Sequence, residues 1–208
     1  MKQLLRLTAC AVVLLASRSH AVPSPARSSI PSHMLLVGRL GDLADTTFGA
    51  FTVVVRDLAN NPVANSNVEV RILNCPGARL SSESYDPPST IRCSTAGLMR
   101  TTDALGEARF TLVGGGTPGS PPGAGPCVQV FASGVLLGTA SLAYVDLDGS
   151  GGMGSNDISL WFGDFATGEP IGRSDIDGDG QDDISDLSLW LEIWGAAGSR
   201  QSPASYCP

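Results

Sequence analysis

Lysine is almost missing from this chain. Of its 13 basic residues all but Lys2 are arginines, and only His20 and His33 are histidines. Aromatic residues make up 6%. After the apolar run 7–16 no stretch approaches the roughly 20 residues needed to span a bilayer. Each shortage excludes something. With a net charge of −7 and no basic cluster, the chain does not suit a nucleic-acid backbone. Beyond the first 21 residues a Ser-His-Asp triad could use only His33, a lone histidine at the expected edge of order, and nothing nearby supports one. No Gly-rich loop follows a strand and opens a helix, as phosphate binding requires. Carboxylates for glycoside hydrolysis exist, but Asp57 and Asp103 fall at expected turns, where Asp bonds its own backbone. The chain reads as a non-enzyme.

What is abundant is aspartate, and it is segregated. From 22 to 145 eight Arg balance eight Asp plus Glu. From 146 to 208 only Arg173 and Arg200 face ten Asp and two Glu, a net −10. The acids there are periodic. Asp146, Asp148, Gly151 and Asp157 occupy positions 1, 3, 6 and 12 of one loop. Asp175, Asp177, Gly180 and Asp186 occupy the same positions of a second, and over sixteen residues the copies (146–161 and 175–190) share eight identities. This is the ligand spacing of a twelve-residue calcium loop leading into a helix. Calcium is a hard cation that takes oxygen ligands, and position 6 needs a sharp turn. In loop 1, Ser150 stands at position 5 and Gly152 gives its carbonyl at position 7. In loop 2, Asp179 and Gln181 take those roles, and Asp183 at position 9 acts through water. Loop 2 has more acids and is expected to bind more strongly. Repulsion among these carboxylates opposes compaction until a cation enters.

Each loop runs into an amphipathic helix. Ile158, Trp161, Phe162 and Phe165 fall at i, i+3, i+4, i+7, and Leu187, Trp190, Leu191 and Trp194 repeat the pattern. The expectation is that the two stripes pack on each other. The stretch 146–196 resembles a dockerin type I module, with two calcium loops each followed by a helix. The resemblance implies attachment to a cohesin-type protein domain. It also implies partner choice at loop positions 10 and 11, here Ser155-Asn156 and Ile184-Ser185. The copies differ at both positions, against symmetric dual-mode docking. The connector holds Gly168, Pro170 and Gly172 and looks longer than usual.

The N-terminus reads as a secretory signal over 1–21: a basic start, an apolar core and an A-x-A-like end at Ser19-His20-Ala21. Cys10 leaves with it. Cys75, Cys93, Cys127 and Cys207 remain, an even number in an exported chain, so two disulfides are expected. Proximity in sequence favours Cys75–Cys93 and Cys127–Cys207. Zinc is the alternative for these cysteines, but the spacings match no zinc pattern.

Residues 22–32 are rich in Pro, Ser and Ala and read as a flexible lead-in. From 33 to 145 the pattern is β, with strands expected at 51–56, 68–72, 109–113, 127–131 and 138–145. Residues 114–126 read as a long loop. Short strands at this spacing suggest a sandwich. The segments Val53-Val-Val-Arg-Asp57, Asn61-Pro62-Val63 and Thr102-Asp103 to Phe110 resemble bacterial immunoglobulin-like repeats and the related carboxypeptidase-regulatory-like sandwiches. The expected fold is therefore mainly β: an immunoglobulin-like β-sandwich (33–145), then a small α module of two calcium loop-helix repeats (146–200) and a tail (201–208).

Three functions fit: a calcium-dependent docking module, a structural or adhesive surface protein stiffened by calcium, or an accessory of polysaccharide breakdown with a carbohydrate-binding sandwich. All three place the chain outside the cell, with no membrane span and no nucleic acid.

Overall fold

The computed structural model describes residues 21–72, 74–117, 125–167 and 172–208. The expected signal up to residue 20, most of the Gly/Pro loop, and Gly168 and Pro170 lie outside them. Among the described residues the chain is mainly β. The strands are β1 (His33–Val37), β2 (Arg39–Leu40), β3 (Leu43–Ala44), β4 (Ala50–Val54), β5 (Asn67–Arg71), β6 (Arg79–Leu80), β7 (Thr90–Arg92), β8 (Gly97–Thr101), β9 (Glu107–Gly115), β10 (Val128–Ala132) and β11 (Val135–Tyr144). The helices are α1 (Thr46–Gly49), α2 (Ser155–Phe165) and α3 (Ile184–Ala196).

Nine strands join in one mixed sheet of order β4-β9-β1-β11-β10-β5-β8-β7, with β6 added on β9. β1 runs parallel to both its neighbours: Leu36 pairs with Tyr144 of β11 and with Leu112 of β9. The other pairs are antiparallel. The sheet curls, so that Arg100 Nη1 of β8 donates to the Arg109 carbonyl of β9 at 2.6 Å. Inside the curl, Met34, Leu36, Val70, Leu98, Phe110 and Leu142 belong to one buried cluster.

β1 was not expected from the sequence. It alternates between two cores: Met34 and Leu36 face the main cluster, while Leu35 and Val37 face a second one with Ala143 and Val145. A strand covered on both faces has no polar face, so HMLLV carries no period-two signal. The second cluster is where the C-terminal part lands. Met153, Ile176, Trp190 and Ile193 close over β1 and the end of β11. Burying side chains of this size stabilises by about 1.5–3 kcal/mol each.

The helical stripes are therefore used differently from the expectation. Trp161 enters the main cluster and Trp190 the second, both fully buried. Phe162, Phe165, Leu191 and Trp194 stay 42–50% exposed. Leu187 of α3 packs at the edge of the main cluster and Ile158 of α2 at the edge of the second, so the start of each stripe crosses to the cluster of the other helix while its later positions stay exposed.

The disulfides join Cys75 to Cys127 and Cys93 to Cys207, not the pairs expected from proximity. Strand register decides this. β5 and β10 are antiparallel with Arg71 opposite Gln129, so the chain just after β5 meets the residue just before β10. The span read as a loop from 114 is also corrected: β9 continues to Gly115. A Cβ at Gly114 would run into the Arg79 carbonyl, so only glycine lets β6 pair there. Within 22–32, Ser24 N–H donates to the Arg56 carbonyl at 2.8 Å and Ser29 bridges to Val54, which ties the segment to the end of β4.

Candidate functional site

Loop 1 leaves β11 directly. Tyr144 ends the strand, Val145 is buried, and Asp146 follows with no exposure. Asp146, Asp148 and Asp157 each place a carboxylate oxygen within 4.8 Å of the others, and Asp175, Asp177 and Asp186 do the same in loop 2. The spacing of positions 1, 3 and 12 thus brings together the acids it pointed to, in both copies.

The internal wiring is also repeated. Asp157, at position 12, accepts from the N–H groups of Asp148 at 3.0 Å and Gly154 at 2.7 Å. Asp186 accepts from Asp177 at 3.1 Å and Asp183 at 2.8 Å, the same two positions, and from Ile176 at 2.7 Å. Each position-12 acid therefore both closes its loop and accepts the N–H of the residue that caps its helix, near the helix start where negative charge is favoured. Gly180, at position 6, has φ of 88°, a left-handed turn that a side chain disfavours. Its N–H donates to Asp175 at 3.1 Å.

Not every expected ligand joins a cluster. Asp179 is exposed and turns back on its own loop, accepting from the Gln181 N–H at 2.8 Å. Asp183 caps α3 instead, with Oδ1 accepting from Ser185 N–H at 2.8 Å. Ser150 is exposed and donates its N–H to Asp148 at 2.8 Å. Gly152, the expected carbonyl ligand, is buried, and its N–H donates to Asp146 Oδ2 at 3.1 Å. Ser155, Asn156, Ile184 and Ser185 all stand exposed at the helix starts.

The electrostatics are those of crowded acids. Burial raises the carboxyls of Asp146, Asp175 and Asp186 above their usual range and pushes Asp157 up to about 6. Neighbouring carboxylates add to this, such as Asp186 beside Asp175. Asp146 is the sharpest case. Its Oδ2 accepts from Gly152 and Ser202, while its Oδ1 is buried with no hydrogen-bond partner. A carboxylate oxygen closed off from water without a donor is costly unless a proton or a cation meets it. The donors in both clusters are all oxygen, which suits a hard cation better than zinc.

Three residues here escaped the sequence reading. Asp182, between the expected ligands of loop 2, has both carboxylate oxygens buried without a donor and is pushed to about 6, by burial first and then by Asp186. His33 is packed beside loop 2, with Nδ1 2.9 Å from Ser141 Oγ and its ring where a Cβ on Gly178 would fall. Ser202 reaches Asp146 from the far C-terminus. The first broke a pattern whose other members looked complete, and the other two lie outside it.

Compared with protein-family models, curated proteins and solved structures, the chain matches none. Among the described residues no helix is long and apolar enough to cross a membrane.

Proposed function

We propose that this chain is an exported, non-enzymatic protein that binds two calcium ions, one in each loop. In this reading the loop-helix repeats form a dockerin-like module that attaches to a cohesin-type protein domain. An immunoglobulin-like β-sandwich carries the module. One observation bears most of the weight: Asp146, fully buried, keeps an unpartnered oxygen beside those of Asp148 and Asp157. A hard cation at that point would satisfy the oxygen and offset the burial that raises the Asp146 and Asp157 carboxyls. The second copy of the same wiring in loop 2 supports a shared purpose.

Support for docking comes from the helix starts. Ile184 is 69% exposed, and Ser155, Asn156 and Ser185 surround the loop exits with small polar groups. A structural or adhesive role, in which calcium only stiffens the tail, is favoured by a different observation. Trp190, Ile193 and Met153 bind the tail to the sheet, so the module is not offered on a tether. A carbohydrate-binding role has less support, because Phe110 and Tyr144 are buried in the core and Phe131 lies 4.3 Å beneath the Arg71 guanidinium.

Capture on an immobilised cohesin domain separates the two main readings. Docking predicts capture in calcium that is lost with chelator and with the double change Ser155→Arg and Asn156→Arg. A stability gain from calcium without capture supports the stiffening role. No calcium binding at all would overturn both.

A further inference from the structure

The C-terminal residues 199–207 form a strap whose anchorage has little to do with the strap's own sequence pattern. Gln201 exchanges backbone hydrogen bonds with Arg39, at 2.9 and 3.0 Å. Cys207 N–H donates to the Leu80 carbonyl at 2.8 Å, and the Cys93–Cys207 bridge closes the end. The strap is thus fastened at both ends, to β2 and to β6.

Between those fastenings it crosses loop 1. The Ser202 hydroxyl donates to Asp146 Oδ2. The Arg200 carbonyl lies where a Cβ on Gly152 would fall. Tyr206 Oη and Asp146 Oδ2 both face Gly115: a Cβ there would be 3.1 Å from the first and 3.0 Å from the second. The strap therefore touches loop 1 at position 1, an acid, and at position 7, the expected carbonyl ligand. Loop 2 has a different support. The donors to Asp175 are Gly178 and Gly180 of its own loop.

We propose that the strap is a working part of the loop 1 cation site, with Ser202 as the positioning residue. Ser202 holds Oδ2 of Asp146 and so aims Oδ1, the unpartnered oxygen, into the cluster. The inference rests on the calcium reading. It gives loop 1, with three aspartates against six in loop 2, a rigidity from the body of the protein that charge does not supply. It also makes the coupling reciprocal, because a cation that needs the strap in place must stabilise the strap by the same factor. Loss of the Cys93–Cys207 bridge would then weaken calcium in loop 1 while sparing loop 2.

The test is calorimetric titration of the full exported chain, stripped of metal, with calcium. Asp177→Ala serves as the background, so that loop 1 is read alone. Ser202→Ala should weaken binding there by roughly 10- to 100-fold, the usual effect of removing a group that orients a ligand. Ser202→Thr, which keeps the hydroxyl, should restore it. In the unaltered chain calcium should slow hydrogen exchange at the Gln201 amide. This second measurement decides the matter if Ser202→Ala fails to fold. A Ser202→Ala titration that superimposes on its parent, or a Gln201 amide indifferent to calcium while two ions bind, overturns the inference alone. An unaltered chain that binds no calcium overturns the calcium reading itself.

Discussion

The indole Nε1 of Trp190 donates to the carbonyl of Val145 at 3.0 Å, across 45 residues. Val145 is the last residue before loop 1, and Trp190 lies in the helix that follows loop 2. One hydrogen bond thus links the exit of the sheet, the first loop and the second helix. Trp161 makes the matching bond within the repeats, from Nε1 to the Ser174 carbonyl at 3.3 Å, one residue before loop 2. Each tryptophan of the pair thereby clamps the residue that opens the other copy's loop.

Trp190→Phe should therefore be more disruptive than its apolar similarity suggests. The change leaves the buried Val145 carbonyl without its donor, which costs on the order of 1–3 kcal/mol. Chemical denaturation of the full chain measures it. An unshifted midpoint would show that α3 is not held on the sheet as described.

The disulfide pairing is open to direct mapping. Peptides from the unreduced chain should contain Cys75 with Cys127 and Cys93 with Cys207. The bridges span 52 and 114 residues, and in the chain-entropy account loops of this length contribute on the order of 4–5 kcal/mol each. Replacing Cys75 and Cys127 together by serine should lower the melting temperature strongly. A Cys75–Cys93 peptide would contradict the register of β5 on β10.

The pH dependence has a definite sign. Asp157 is raised to about 6 in the fold, above its unfolded value of about 3.9. A raised acid contributes stability that is present below the unfolded value and lost as pH rises through the folded one. Without metal, the fold should therefore gain stability on going from pH 7 towards pH 4 through this group. Calcium must displace the proton, so its affinity should fall as pH drops through about 6. Melting curves with and without chelator, taken across this range, read both effects. A calcium effect that does not fade below pH 6 would count against Asp157 as a ligand.

Much of the architecture was legible, and the gaps have physical causes. β5, β9, β10 and β11 announce themselves by β-branched alternation, because one face of each meets the main core. β1 does not, because Leu35 and Val37 are covered by α3 while Met34 and Leu36 point inward. β6 has two residues and depends on glycines of another strand. The cysteine pairing depends on register between strands far apart in the chain, which proximity does not encode. In the loops, the acids at positions 1, 3 and 12 were readable because their spacing repeats in both copies. Asp179 and Asp183 had the right spacing as well, but Asp179 faces solvent and Asp183 caps α3, so neither carboxylate lies in the cluster. Ser202 had no spacing to betray it.

The central claim is that these clusters take calcium. Isothermal titration of the metal-free full chain, with far-ultraviolet circular dichroism and melting recorded in parallel, tests it most directly. The account predicts two calcium ions per chain, with affinities between ~10⁻³ and ~10⁻⁷ M. It also predicts a rise in melting temperature that chelator reverses, and loss of one ion with Asp148→Ala and of the other with Asp177→Ala. A flat titration with an unchanged melting curve would contradict it.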